Sequence, residues 1–132
     1  MSLGIPKSNF LFIETNFKDI IEEVREGVNG LSSQAGLIRK TIVFRDMSKM
    51  LCTEVLDPTR ACIELYWYDW YGSNKKEIMK FHAHYHPDGT PVEITKFDPY
   101  HMHVDEKRLH SGSFKELALI LEFIRLRQAS LR

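Results

Sequence analysis

Between Leu37 and Phe97, five short segments rich in β-branched and aromatic residues follow one another with only brief connections between them. They are Leu37 to Phe44, Lys49 to Leu56, Arg60 to Tyr71, Glu77 to His86 and Pro91 to Phe97, and their composition is that of strands. Arg45-Asp46-Met47-Ser48, Asp57-Pro58, Gly72-Ser73-Asn74 and Pro87-Asp88-Gly89 separate them, and these residues favour turns. Parallel neighbours need a longer crossover, so each segment is expected to pair antiparallel with the next. The pattern predicts a five-strand meander. Its last hairpin turns at Pro87-Asp88-Gly89 and lays Val92 to Phe97 beside the fourth strand.

Helical signals lie on either side of the meander. Asn16 is a good N-cap for a helix carrying Phe17, Ile20, Ile21, Val24 and Val28 on one stripe, with Asp19 and Glu22 near its positive end and Gly27 or Gly30 as its stop. Near the other end of the chain, Ser113 and Glu116 have capping-box spacing, and Phe114, Leu117, Leu121 and Ile124 repeat on one face. A helix from Phe114 to about Gln128 follows, with Arg125, Arg127 and Arg132 complementing its dipole. The fold class read from these elements is α+β: an antiparallel five-strand meander with an N-terminal and a C-terminal helix packed on one face.

The 132 residues make one domain, 1–132, with 43% hydrophobic and 27% charged residues, as in a soluble globular protein. Lys and Arg number 18 and so do Asp and Glu, so bulk charge offers no attraction for nucleic acid or membrane, and any such binding needs a local patch. Cys52 and Cys62 have neither disulfide-scaffold density nor metal-site spacing, and they read as buried, reduced and structural. The apolar run Phe10 to Ile13 is too brief for a signal peptide or a spanning segment, so a cytoplasmic protein with no membrane partner is expected. Met1-Ser2-Leu3 reads as a cloning scar outside the fold.

All six histidines fall between His82 and His110, five of them in the sets His82-Ala83-His84-Tyr85-His86 and His101-Met102-His103. Histidine is the side chain that acts as acid, base or metal ligand near neutral pH, so this clustering points to a site. On an extended strand, His82, His84 and His86 share a face with Lys80, opposite Phe81, Ala83 and Tyr85, and the outer two histidines stand ~13 Å apart. Three in a row therefore cannot hold one ion. Two of them could, with His101, His103, Asp98 or Asp105 completing the set.

Metal-free acid/base work is the second reading, with His82 or His84 opposed to His101 or His103 and with Lys80 or Arg108 neutralising a phosphate. Structural histidines, bonded across strands or lining a subunit interface, are the third. No cofactor is expected; the alternative is a divalent transition metal on His82, His84, His101 and His103. In the third strand Tyr66, Tyr68 and Trp70 share one face and Trp67 and Asp69 the other. If the first set lies beside the histidines it forms a stacking platform for single-stranded nucleic acid; otherwise it packs a core or dimer interface. Gly-rich phosphate loops and nucleophile elbows are absent.

The succession Leu51 to Val55, Glu64-Leu65-Tyr66-Trp67-Tyr68-Asp69, Met79-Lys80-Phe81-His82-Ala83-His84-Tyr85-His86-Pro87 and Phe97-Asp98-Pro99-Tyr100-His101-Met102-His103, closing on an amphipathic helix, resembles the TumE-type toxins of toxin-antitoxin systems. The resemblance spans roughly residues 35–128. It departs from the family pattern in having alternating rather than adjacent histidines in the first set, and in placing Asp98 between Phe97 and Pro99. The resemblance implies a small antitoxin partner, often a helix-turn-helix protein, and a growth-arresting activity. Matched position by position it singles out His86, His101 and His103, beside which Lys80 is the candidate cation. The expected function is thus a toxin acting on RNA through a histidine-rich surface by metal-independent, ribonuclease-like chemistry, with His82, His84, Tyr66, Tyr68, Trp70 and Arg108 as binding residues. The alternative is a non-enzymatic binding module or homodimer that uses the same face for a protein, ligand or metal.

Overall fold

The structure, a computed structural model, describes residues 3–130. Eight strands form one antiparallel sheet: β1 (Ile5–Pro6), β2 (Ile21–Glu26), β3 (Leu37–Phe44), β4 (Lys49–Leu56), β5 (Cys62–Tyr71), β6 (Glu77–Ala83), β7 (Tyr100–Val104) and β8 (Lys107–His110). Strands β2 to β8 lie in sequence order, while β1 pairs with the start of β5 through Ile5 and Ile63. Three helices accompany them: α1 (Phe10–Asn16), α2 (Val92–Thr95) and α3 (Leu117–Ser130).

The α+β class, the antiparallel meander and the bounds of β3 and β4 agree with the sequence reading, but the sheet is larger than five strands. Two elements differ. The stripe from Phe17 to Val28 is not a helix. The helix at this end starts earlier, where the Asn9 side chain accepts the Phe12 N–H, and Asn16 closes it by donating to the Phe12 carbonyl. Ile21 to Glu26 then pairs with β3 as an edge strand, from Ile21 opposite Phe44 to Glu26 opposite Lys40. The β-branched Ile21 and Val24 suit a pleated surface, and the ladder with β3 satisfies backbone groups that a short isolated helix would hold only weakly.

The segment Pro91 to Phe97 is likewise no strand. Pro91 precedes the single turn α2, and its carbonyl accepts from Ile94 and Thr95. The Pro87 turn forms, with Thr90 donating to the Pro87 carbonyl and Gly89 at φ +92°, but it leads into α2 and makes no hairpin. β6 pairs instead with β7, Phe81 opposite Met102 and Ala83 opposite Tyr100. That choice continues the apolar row across the sheet, with Met102 and Tyr100 packed against the core beside Phe81 and Ala83. Residues 84–99 thus form an excursion between two neighbouring strands.

One face of the sheet carries the core. Ile42, Phe44, Met50, Cys52, Tyr66, Tyr68, Trp70, Met79, Phe81 and Ala83 are buried there with Ile13 and Phe17 from the α1 region and Leu117, Ile120, Leu121 and Ile124 from α3. A helix near each end of the chain therefore joins one apolar cluster, as expected, although the N-terminal one is α1 and not the Asn16 to Val28 stripe. α3 begins at Leu117, so Glu116 precedes the helix and does not occupy the capping-box position. Phe114 is partly buried against the cluster, and Ile120 joins the predicted face. Arg125 joins α3 to the chain after α1: it donates to both Asp19 carboxylate oxygens at 2.8 and 2.9 Å and to the Asn16 carbonyl at 2.9 Å. Arg127 lies over the Trp70 ring, and Arg132 is outside the described residues.

Glu54 is the buried carboxylate of this core. It accepts from the Tyr68 hydroxyl at 2.6 Å and from the Ser8 N–H at 3.0 Å, and also bonds the Ser8 hydroxyl, which fastens the N-terminal segment to β4 and β5. Cys52 is free and buried, its thiol pushed well up by burial first and by Glu54 and Asp69 second; Cys62 is free and half-buried. Met1 and Ser2 lie outside the described residues, but Leu3 belongs to the fold: its N–H donates to the Ile63 carbonyl, and its side chain packs on the core.

Candidate functional site

Directly opposed residues of an antiparallel pair project from the same face, so register decides what meets on the outer side of the sheet. Trp67 lies opposite His82, Asp69 opposite Lys80, His82 opposite His101, Lys80 opposite His103, and His103 opposite Arg108. The β6–β7 pairing thus brings the two histidine sets of the sequence together. β6 ends at Ala83 and the chain turns away, with His84 still bonded to the Pro99 carbonyl, so His84 and His86 bend inward rather than continuing a straight strand. Their rings stand 4.7 Å apart, and His86 comes within 6.0 Å of the His101 ring.

His101 is the centre. Its ring lies 5.5 Å from that of His82, 4.9 Å from His84 and 5.0 Å from His103, while His82 and His103 are 4.9 Å apart. It is fully buried, at 0% exposure, and neither ring nitrogen has a hydrogen-bond partner. Burial, followed by the neighbouring His82, His84 and His103 and by Arg108, pushes its pKa down to about 3. His84 and His103 are lowered for the same primary reason, loss of water, with His86 and His82 next for His84, and His82 and Arg108 next for His103. The lowering favours the neutral form of all three imidazoles, in which one ring nitrogen keeps a lone pair that can ligate an ion.

Two carboxylates hold the outer members. His82 Nε2 is 2.8 Å from Asp69 Oδ1, and His86 Nδ1 is 2.6 Å from Asp98 Oδ1, whose other oxygen accepts the His86 N–H at 2.9 Å. A carboxylate only accepts, so these ring nitrogens donate to it, and Nδ1 of His82 and Nε2 of His86 are the atoms left for other partners. Burial would raise the Asp98 carboxyl, but the hydrogen bonds from the His86 backbone and ring hold it below its ordinary value.

Two cations flank the group. Lys80 Nζ sits 3.3 Å from Glu77 Oε1; burial would lower its pKa, but Asp69, Tyr71 and Glu77 outweigh this and raise it. The Nη1 of Arg108 is buried without a hydrogen-bond partner. His82, His101 and His103 each offer a ring nitrogen within 4.8 Å of the others, which makes them the metal-competent subset; His84 adjoins this set without belonging to it.

The structure thus groups His82, His84, His86, His101, His103, Lys80 and Arg108. It separates Tyr66, Tyr68 and Trp70, which are buried on the core face and form no platform beside the histidines. Trp67 is an aromatic on the histidine face, its ring 6.2 Å from that of His84. Asp98 is engaged by His86, Asp105 lies exposed in the β7–β8 turn, and His110 is exposed with Nδ1 accepting the Gly112 N–H. Sequence reasoning passed over Asp69 and Trp67 as site residues, although their shared parity was the signal.

The class defined by fold and site is a small α+β protein with a helix-covered sheet and a histidine cluster on its outer face. A model of the family described as Toxin TumE matches residues 10–128. The chain belongs to the TumE toxin family, and a toxin family implies an antitoxin partner. No curated protein and no solved structure matches significantly. Among the described residues, no helix is long and apolar enough to cross a membrane.

Proposed function

We propose that this toxin arrests growth in the cytoplasm by acting on RNA through the histidine face, and that a small antitoxin, of the helix-turn-helix kind, restrains it. The observation that carries the reading is the convergence of four imidazoles on His101 between two cations, Lys80 and Arg108. A phosphodiester needs this combination: positive charge for the phosphate oxygens and a positioned group for proton transfer. His86 supplies the latter, since Asp98 fixes its tautomer and leaves Nε2 to take a proton from a ribose hydroxyl. Arg108 presents a buried N–H that a phosphate oxygen would satisfy, and Trp67 offers the ring on which a base could stack.

The test is induced expression without antitoxin, wild type beside His86→Ala and His101→Ala/His103→Ala, with total RNA followed over time. Wild type should slow growth and fragment RNA, and the folded variants should lose both through a ~10²-fold or greater fall in turnover. Arrest with intact RNA would remove RNA as the target. Arrest that persists in the folded variants would move the activity away from this face.

A further inference from the structure

We propose that His82, His101 and His103 form a binding site for one divalent transition-metal ion of the zinc class on the outer face of the sheet. Three imidazoles and an open position are the ligand set of a reactive zinc centre, and imidazole also suits copper, nickel and iron. The ligand nitrogens already lie within 4.8 Å of one another. Tetrahedral binding at roughly 2.0–2.1 Å per bond asks for nitrogens about 3.4 Å apart, a contraction that small rotations of three side chains on paired strands can supply.

Two further observations point to a ligand. His101 is wholly buried, yet both of its ring nitrogens lack a hydrogen-bond partner, a rare state for a polar side chain, and an ion at the centre of the triad would give one of them a partner. His82, in turn, has one ring nitrogen already engaged by a carboxylate. Asp69 holds its Nε2 and leaves Nδ1 free, the carboxylate–histidine arrangement that fixes ring direction and raises ligand basicity at metal centres. The strand pairing makes this geometry rigid, because His82 and His101 are direct partners and His103 is two residues further on the same face.

The nearby cations do not argue against an ion. Glu77 pairs with Lys80, and the unpartnered Arg108 N–H is suited to an anionic ligand filling the open position, such as hydroxide or a phosphate oxygen. The assignment leaves His86 with Asp98 outside the ligand set, free for proton transfer. It takes up the metal alternative of the sequence reading, on His82, His84, His101 and His103, in place of the metal-free expectation, and leaves His84 outside the ligand set.

The test uses the full untagged chain, stripped with a chelator, dialysed, and titrated with Co²⁺ and then Zn²⁺. The expected result is one Co²⁺ per chain with the intense visible absorption of a four- or five-coordinate ion, displaced by one Zn²⁺. His101→Ala and His103→Ala should each weaken binding at least ~100-fold, and Asp69→Asn ~10-fold or more, while His110→Ala binds as wild type. Circular dichroism in chelator reports folding; if His101→Ala does not fold, the half-exposed His103 decides through its own variant. Wild type without stoichiometric binding, or a folded His103→Ala that binds as tightly as wild type, would overturn the site. Because binding is read on purified protein, intact RNA in arrested cells would refute the RNA reading and leave the metal result standing.

Discussion

Glu54 offers the most direct test of how this sheet is held to its N-terminal segment. The carboxylate is fully buried and serves three donors: the Tyr68 hydroxyl, the Ser8 N–H and the Ser8 hydroxyl. Glu54→Ala strands all three. The Tyr68 hydroxyl lies in the core, where an orphaned donor costs about 1–3 kcal/mol, and the two Ser8 donors, nearer to water, add about 0.5–1.5 kcal/mol each. A loss of about 2–6 kcal/mol is expected, a large share of the stability of a domain this size.

Tyr68→Phe supplies the control. Alone it removes one hydrogen bond and should cost about 1–2 kcal/mol; in the Glu54→Ala background it deletes a hydroxyl that has already lost its partner and should cost almost nothing. Urea unfolding at pH 7 of wild type, both single variants and the double variant, followed by tryptophan fluorescence, closes the cycle. A coupling of at least about 1 kcal/mol is expected for groups in direct contact. Additive effects, or a Glu54→Ala loss below about 1 kcal/mol, would refute the reasoning and show that the carboxylate reaches water.

On the helix side, Leu121→Ala should cost ~2–5 kcal/mol as a large-to-small change in the core, whereas the exposed Leu126→Ala should stay within about half a kilocalorie; equal losses would undo the α3 packing. The Asp98 carboxyl is held below its ordinary value of 3.8, so its contribution to stability is complete above that pH and disappears as pH falls through the lower folded value. Wild type should therefore lose more stability than Asp98→Asn between pH 6 and pH 3, and identical pH dependence in urea midpoints would contradict the His86–Asp98 pairing. Arg125→Ala should free the chain after α1, seen as faster amide exchange in residues 10–20; unchanged protection there would mean that the ties to Asp19 and Asn16 contribute nothing.

The limits of sequence reasoning are physical and fall on particular residues. Leu37 to Phe44 and Lys49 to Leu56 were legible to the residue because alternation and turn chemistry are local properties. Ile20, Ile21 and Val24 satisfied a helical stripe and a strand equally well, and only pairing with β3 decided between them. Parity in the third strand separated Tyr66, Tyr68 and Trp70 from Trp67 and Asp69, but nothing local says which of two apolar-rich faces a helix will cover.

By itself the sequence determined an α+β meander closed by an amphipathic helix, the likeness to a toxin family, and the two runs that hold the clustered histidines. The tertiary structure decided that His82 faces His101 across a strand pair, that Asp69 and Asp98 each orient a ring, and that His101 is buried with no partner for its nitrogens. The reason is chain reach. Periodicity reports how side chains alternate within one segment, whereas the site is built between segments separated by the excursion of residues 84–99, and its register is chosen by apolar residues on the opposite face of the same strands.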